Sequence, residues 1–480
     1  MVTLPLEILD EIASFLPYAC DIARLGLASR STHSVALPHL FRHLEIRLAS
    51  AAVAPLAETL KTHPERAAAC RTVRFLPPAD SQYDSDTEEP ESDSSLSDLV
   101  ASILALCAEN GRLLAIRWAG DRDNDEGFRK PVWDAIGMNC ASLQELDLYV
   151  ADGEERDEWM GLTRPVYPNL RSLRIDLPDS HGLPCRHLQN MIANHCPALE
   201  VLSLTFPPCC GPTDFTFSFT LPKLKVFEFE GAELHERSPQ NEDLLIRHPH
   251  IERLKVSSGQ YLRPAATQDN ALRALCIDQL SIAGIDRNDE DKLAPFDLSS
   301  YGKNIVHLRV VDVPHMSHKL TRGAIHSVAR TLRCLELVGE DLHSFEVLLQ
   351  HVGVVLAETK QLEELRIASR NVWPPPPSWT VNNLRDLLGV LSYIPTLGLR
   401  AVQFYSRPKN GAPLPPSFLE YVPYRLEYIS WDVFEPAPDD VQSTLYRVEG
   451  CNVQLVPPGC GPLHSRRTDW TGESVLDHLA

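Results

Sequence analysis

The chain has 480 residues and a net charge of −20; 44% of its residues are hydrophobic and 23% are charged. This composition is typical of a globular protein, and the acidity argues against nucleic acid or an anionic membrane as the main partner. The length suits roughly two to four ordinary domains or one long array of repeats.

A strongly apolar helix is predicted at the beginning of the chain, where the sequence reads LPLEILDEIASFL from Leu4. Its apolar residues cover roughly half of the helix circumference, whereas a helix that packs on one core needs a stripe of only about 100°. The acids Glu7, Asp10 and Glu11 within it do not fit a secretory signal, and no apolar run in the sequence is long enough for a membrane helix. We therefore expect a cytoplasmic or nuclear location with reduced cysteines.

Two further short helices are predicted after the first one. Pro5 suits the first turn of the first helix and Pro17 ends it. Asp21 is the expected N-cap of a second helix over Ile22–Ala28. Ser31 or Thr32 is expected to cap a third helix, which should end before Pro38.

Residues 4–46 resemble an F-box, the small helical module that docks on the Skp-type adaptor of a cullin–RING ubiquitin ligase. The resemblance rests on the runs LPLEIL, DIARLGLASR and LPHLFRHL, although Thr32 stands where the family usually has an aromatic residue and Phe41 replaces a common Trp. It implies a module over residues 1–46 and this set of adaptor-binding residues: Leu4, Pro5, Ile8, Leu9, Ile12, Leu16, Leu25, Ser29 and Arg30. The alternative is a plain helical cap that covers the exposed end of a repeat array.

An acidic stretch, ADSQYDSDTEEPESDSSLSD at 79–98, follows one of the upstream repeat copies. Its high charge and low hydrophobicity predict a disordered insert. Ser85 and Ser95 each precede an acid by three residues and fit acidophilic kinase sites, so phosphorylation is one hypothesis. A loop that merely solvates the array is the alternative.

The rest of the chain repeats one phrase: an apolar residue, two variable residues, an apolar residue, one variable residue and a last apolar residue. Eleven clear copies run from LQELDL at Leu143 to LEYISW at Leu426, at a mean interval of about 28 residues. Less regular copies precede them: FRHLEI from Phe41, CRTVRF from Cys70 and LLAIRW from Leu113. Each phrase predicts a short strand, and helical patterns between phrases (for example 187–196, 341–358 and 381–394) predict a strand–helix repeat.

This pattern resembles leucine-rich repeats and implies an α/β fold: a curved solenoid with a parallel sheet inside and helices outside. The array is assigned to residues 47–456, with a C-terminal tail over 457–480. The spacing is irregular, and the Asn or Cys usual after the strand is mostly missing. An ordinary α/β domain with leucine-rich strands is the alternative.

The concave face of such a solenoid would carry the variable strand positions, where a target protein is expected to bind. The side chains along it change sign from acidic through basic to aromatic, which suits a specific protein partner more than a polyanion. The partner-binding set comprises Glu228, Arg253, Lys255, His307, Arg309, Arg366, Tyr405 and Tyr428. Most of these residues could equally be ordinary solvated strand residues.

The sequence contains no nucleotide-binding, serine-hydrolase or zinc-protease motif. The residues around Cys196 could bind zinc by type, but their spacing matches no closed zinc site, and Cys196 fits a core position of the repeat. The F-box and repeat resemblance implies a non-catalytic substrate receptor of an SCF-type ubiquitin ligase, with a Skp-type adaptor, a cullin reached through it and an unknown target protein as partners. A protein-interaction scaffold without a role in ubiquitination is the alternative; no cofactor is expected.

Overall fold

The computed structural model describes the greater part of the chain between residues 4 and 456. The described ranges are 4–16, 19–48, 50–76, 94–109, 113–118, 130–149, 160–176, 185–206, 217–230, 243–256, 271–277, 298, 301, 304–311, 318–339, 356–369, 381–394, 398–406, 414, 422–434 and 441–456. Residues 79–93 of the insert predicted at 79–98, residues 341–355 of the helix predicted at 341–358, and the tail at 457–480 lie outside them. Residues 94–98 were predicted to be disordered, but they form the start of a helix over Ser94–Ala108.

The described residues form twelve helices, most of which lie between successive strands. They are α1 (Leu6–Phe15), α2 (Ala19–Ala28), α3 (Arg30–Leu40), α4 (Ser50–Thr62), α5 (Pro64–Ala69), α6 (Ser94–Ala108), α7 (Lys130–Met138), α8 (Met160–Thr163), α9 (Cys185–His195), α10 (Leu244–Arg247), α11 (His318–Val328) and α12 (Val381–Ser392).

The same residues form sixteen strands. They are β1 (His43–Arg47), β2 (Thr72–Leu76), β3 (Ala115–Trp118), β4 (Glu145–Tyr149), β5 (Ser172–Asp176), β6 (Val201–Thr205), β7 (Val226–Glu230), β8 (Arg253–Val256), β9 (Ala274–Ile277), β10 (His307–Val311), β11 (Cys334–Gly339), β12 (Glu364–Ser369), β13 (Ala401–Ser406), β14 (Tyr428–Phe434), β15 (Val441–Glu449) and β16 (Asn452–Leu455).

The chain divides into two compact units, Met1–His235 and Glu236–Ala480. In the first unit, β1–β7 pair in parallel in the order of the chain. In the second unit, β8–β14 do the same, and β15 and β16 then add an antiparallel hairpin to β14. The chain is thus α/β with mostly parallel strands, as the sequence predicted.

One hydrogen-bond pattern links successive strands. The carbonyl of the residue before a strand accepts two amide hydrogens at the start of the next strand: the Gln144 carbonyl from Arg171 and Ser172, and the Arg171 carbonyl from Glu200 and Val201. The second unit repeats this arrangement, for example at the Arg333 carbonyl. Because these hydrogen bonds recur at the same point of each strand, corresponding positions of the phrase lie side by side in neighbouring strands.

The core consists of stacked apolar columns, one for each apolar position of the phrase. The middle column includes Leu146, Leu173 and Leu202 in the first unit and Leu308 and Leu335 in the second, all fully buried. One repeat buries these residues only against its neighbours, which is why the phrase must recur. All fourteen phrases identified in the sequence coincide with a parallel strand.

The three N-terminal helices differ from the prediction in three details. Helix α2 begins at Ala19, so Asp21 lies in its first turn and is not the N-cap that the sequence predicted. The N-cap of α3 is Ser29, not Ser31 or Thr32. The Ser29 hydroxyl accepts a hydrogen bond from the Thr32 amide, and the Thr32 hydroxyl accepts one from the Ser29 amide. Helix α3 also continues through Pro38 to Leu40. The proline lies in the last turn, where the missing amide costs a single hydrogen bond near the end of the helix.

Candidate functional site

Helix α1 has two distinct apolar faces. Leu9 and Ala13 point into the module and are 9% and 1% exposed. Three residues of α1 and Leu4, which lies just before its N-cap, form a neighbouring apolar stripe that faces outward. Their exposed fractions are 50%, 43%, 39% and 77% for Leu4, Ile8, Ile12 and Phe15. A helix that packed on one core only would place charged or polar residues there.

The neighbouring helices fix the orientation of α1. Pro5 is its N-cap residue, in extended conformation, and α3 packs against both α1 and α2. On the polar side of α1, His39 of α3 and Asp10 are hydrogen-bonded at 2.8 Å between Nε2 and Oδ1. Phe41, just after α3, lies 5.3 Å from the Arg66 guanidinium of α5, a cation–π contact. These contacts therefore fix the direction in which the outward stripe faces.

The structure distributes the predicted adaptor-binding residues over several environments. Leu4, Pro5, Ile8, Ile12, Ser29 and Arg30 are exposed, Leu16 and Leu25 are half-buried, and Leu9 lies in the core of the module. Phe15 and Leu27 are exposed apolar residues that the sequence analysis did not single out. The spacing of Phe15, three residues after Ile12 and seven after Ile8, is the signal that identifies it as part of the stripe.

Three of the predicted partner-binding residues, His307, Arg309 and Arg366, lie in a buried polar cluster instead of on an open surface. His307 and Arg366 are only 2% and 7% exposed. Arg366 donates from Nε to Glu364 Oε1 at 2.7 Å, and Gln403 donates from Nε2 to the same oxygen at 3.1 Å. Both are within hydrogen-bond range, so Glu364 is held by two donors.

Glu336 is the second carboxylate of this cluster, 5% exposed. Its oxygens lie 3.6 Å from Arg309 Nη1, 3.9 Å from His307 Nε2 and 3.9 Å from Arg366 Nη1. Burial raises the pKa of Glu336, but these three neighbours more than offset it and bring the pKa to about 2. The charges of the cluster are therefore balanced inside the protein.

The expectation that this stretch of strand face is exposed to solvent is wrong. From β9 to β11 both faces are buried, and apolar residues complete the closed face beside the polar cluster: Ala274, Cys276, Val311 and Val338. The polar side chains are tolerated there because they pair with one another.

The remaining predicted residues are spread along the sheet. Glu228 on β7 is buried at 8% exposure, and Arg253, Lys255 and Tyr428 are half-buried. Ser85 and the side chains of Ser95 and Tyr405 lie outside the described residues. Target binding by this set stays a prediction.

Cys196 and its neighbour His195, which could bind zinc by type, have structural contacts instead. Cys196 is fully buried, which raises the pKa of its thiol to about 12, and His195 Nδ1 lies 2.9 Å from the Thr163 carbonyl oxygen. Within the described ranges no His, Cys, Asp and Glu side chains are grouped closely enough to hold a metal ion. No described helix has the length and apolarity to cross a membrane.

Comparisons with known proteins do not place the chain in a family: no protein-family model matches it, and no curated protein is significantly similar.

Proposed function

We propose that the chain is a substrate-recognition subunit of an SCF-type cullin–RING ubiquitin ligase. The N-terminal helices would bind a Skp-type adaptor, and the leucine-rich-repeat strands would bind the protein to be ubiquitinated. The chemistry would belong to other subunits. The proposal rests on two sequence features together: the F-box-like sequence of residues 4–46 and the repeat phrase that follows it.

The observation that carries the proposal is the exposed stripe formed by Ile8, Ile12 and Phe15 on α1 and by Leu4 just before it. Full burial of one such side chain contributes about 1.5–3 kcal/mol, so leaving four of them partly in water forgoes a stabilisation that a partner surface would recover. The separate inward face of Leu9 and Ala13 already anchors α1 to its own module. The outward stripe is not needed for that packing.

Binding to a purified Skp-type adaptor tests the proposal directly. We expect wild type to bind and an Ile8→Asp/Ile12→Asp variant to lose binding, because charges in an apolar interface are strongly unfavourable. A Leu4→Ala/Pro5→Ala variant is expected to bind more weakly.

The matched control is Ser14→Lys, which changes an exposed polar position on a different face of the same helix. It should bind like wild type, and circular dichroism should show the same helix content in all variants. Wild type that fails to bind the adaptor refutes the proposal. Wild type that binds the adaptor but never supports ubiquitination of a bound target favours the scaffold alternative.

A further inference from the structure

The residues that immediately precede the strands lie side by side where the strands of the sheet begin. In the first unit, each of their carbonyls accepts the amide hydrogen of the corresponding residue in the next repeat. This set is called the pre-strand row below. In the first unit it comprises Arg42, Arg71, Leu114, Gln144, Arg171, Glu200 and Lys225.

Side chains of neighbouring row positions reach one another. In the corresponding row of the second unit, Arg333 Nη2 lies 2.6 Å from Glu363 Oε2, and Arg400 Nε lies 2.8 Å from Glu427 Oε1. The hydrogen bond to Glu427 and, less strongly, the charge of Glu363 raise the pKa of Arg400. Neighbouring positions of that row therefore carry opposite charges that interact along it.

The first five positions of the row in the first unit break this alternation. They contain three arginines, Arg42, Arg71 and Arg171, and no acid, whereas the next two, Glu200 and Lys225, pair at 3.1 Å. Arg42 and Arg171 are exposed, and neither makes an ion pair within the described ranges. Like charges on neighbouring strands are unfavourable, so an anion from outside would stabilise this stretch.

Arg42 and Arg71 also line an open cavity of about 470 Å³ between α1, α3 and α5. Hydrogen bonds from Arg71 Nη1 to the carbonyls of Ala68 and Cys70, at 3.0 and 3.1 Å, orient its guanidinium. Carbonyl oxygens are uncharged, so these bonds leave the arginine its positive charge. An oriented guanidinium suits a carboxylate, which it can bind through two parallel hydrogen bonds.

Two carboxylates line the same cavity, Asp10 and Glu65. Each lies close to a histidine: Asp10 Oδ1 is 2.8 Å from His39 Nε2, and Glu65 Oε1 is 3.2 Å from His63 Nδ1. The two carboxylate side chains are 66% and 64% exposed. Water therefore screens their repulsion of a bound anion more than it would in a buried site.

The cavity and the outward stripe of α1 lie on different sides of that helix. Asp10 is two residues from both Ile8 and Ile12, which corresponds to about 160° around the helix. An adaptor that covers the stripe therefore leaves the cavity accessible. The cavity is thus available to a different partner, such as the target protein.

We propose that the cavity and the adjoining pre-strand row bind an extended acidic segment of the target protein. One carboxylate would bind between Arg42 and Arg71, and a second would bind Arg171. Arg71 and Arg171 are three strand spacings apart, about 14 Å, which an extended chain spans in about four residues. Residues four apart in an extended chain point to the same side, so the expected motif is an acid, three other residues and a second acid. This inference rests on the proposed function.

Fluorescence anisotropy with labelled peptides tests the inference on the full chain. The spaced peptide is Gly-Glu-Gly-Ser-Gly-Glu-Gly; one control has the two glutamates adjacent, and the other has glutamine in place of both. At about 0.15 M salt, charges beyond about 8 Å are screened, which limits the effect of the net charge of −20. We expect the spaced peptide to bind about tenfold more tightly than the glutamine peptide and about threefold more tightly than the adjacent one.

Equal binding of the spaced and glutamine peptides overturns the inference. So does a single-stranded oligonucleotide that competes as well as the spaced peptide does at equal charge, because the site would then bind polyanions in general.

Charge reversal on the chain assigns binding to this row. Arg42→Glu and Arg171→Glu should each weaken the spaced peptide about tenfold, and Arg42→Lys should weaken it less because lysine keeps the charge but not the planar fork. Arg425→Glu, at an exposed position of the second unit, makes the same change in net charge and should leave binding unchanged. Unchanged binding by both Arg42→Glu and Arg171→Glu, with circular dichroism like that of wild type, overturns the inference.

Adaptor binding is measured on the same preparations. Absence of peptide binding with adaptor binding intact rejects only the target chemistry, whereas absence of adaptor binding with peptide binding intact rejects the proposed ligase role.

Discussion

Glu336 is an ionised carboxyl group in the interior of the second unit. Its ionised form is stabilised by the side chains around it. An isolated buried charge is strongly unfavourable, yet Arg309, His307 and Arg366 hold the pKa of Glu336 at about 2. In the unfolded chain the carboxyl titrates near 4.5. The lower folded pKa means that the ionised form stabilises the fold fully above about pH 4.5 and that this contribution is lost as the pH falls towards 2.

Replacing Glu336 with Gln should therefore lower the free energy of unfolding by about 3 kcal/mol at pH 7, from about 1.4 kcal/mol per unit of pKa difference. The deficit should shrink below about pH 4.5, where wild type also loses this charge. Urea unfolding of both proteins between pH 3 and pH 7 measures the effect.

Glu427→Gln is the matched control, because Glu427 pairs with Arg400 at 2.8 Å on a half-exposed surface. Its cost should stay below about 1 kcal/mol. A Glu336→Gln protein as stable as wild type at pH 7 contradicts this account of the cluster.

Residue identity alone did not predict this environment. His307, Arg309 and Arg366 have the alternating polar positions of any half-exposed strand, so the sequence analysis assigned them to a solvated face. Their burial depends on Glu336 of β11, Glu364 of β12 and Gln403 of β13. By contrast, capping of α3 is a local property, and the sequence predicted the N-cap residue two or three positions after Ser29, where it lies.

At the scale of elements, α7 and α8 approach closely at two glycines. A Cβ atom on Gly137 would overlap the Gly161 carbonyl oxygen, and one on Gly161 would lie 2.7 Å from the Asp134 backbone nitrogen. The obstacles are backbone atoms, which cannot rotate away. These two glycines permit the contact between the helices.

Gly137→Ala should therefore destabilise the chain by about 1–3 kcal/mol, the usual cost of overpacking. Gly389→Ala in α12 is the matched control, because nothing lies within 4 Å of its Cβ position; it should stabilise the helix by about 0.5–1 kcal/mol. Thermal unfolding of both variants measures the two shifts, and a stabilised Gly137→Ala protein would refute the close-contact interpretation.

Strands were more predictable than their surroundings. The repeated phrase predicted the positions of all fourteen parallel strands, because its last two apolar residues must point to the same side of a strand, as Leu173 and Ile175 do. The hairpin β15–β16 was missed because VQSTLYRVE and NVQL do not contain the phrase. They bury other residues, such as Leu445, Tyr446 and Val453. Which residues these are is determined only by the pairing of β15 with β14 and of β16 with β15.

At the scale of the whole molecule, a stack of repeats needs protection where its sheet ends. In the second unit the antiparallel hairpin β15–β16 covers the outer edge of β14, and the Tyr446 hydroxyl accepts a hydrogen bond from the Leu414 amide at 3.0 Å. Val453 is the one buried residue of β16. It therefore anchors the outermost strand of the hairpin.

Val453→Asp should detach β16 from β15, because an ionised carboxylate in an apolar site costs several kcal/mol. Strand β15 would then become an unprotected edge, and such edges promote association between chains. We expect larger species in size-exclusion chromatography with light scattering, and faster hydrogen exchange in β15. Gln454→Asp, an exposed neighbour on the same strand, should behave like wild type. A Val453→Asp protein that stays in the wild-type oligomeric state with β15 still protected would show that β16 is held by contacts other than Val453.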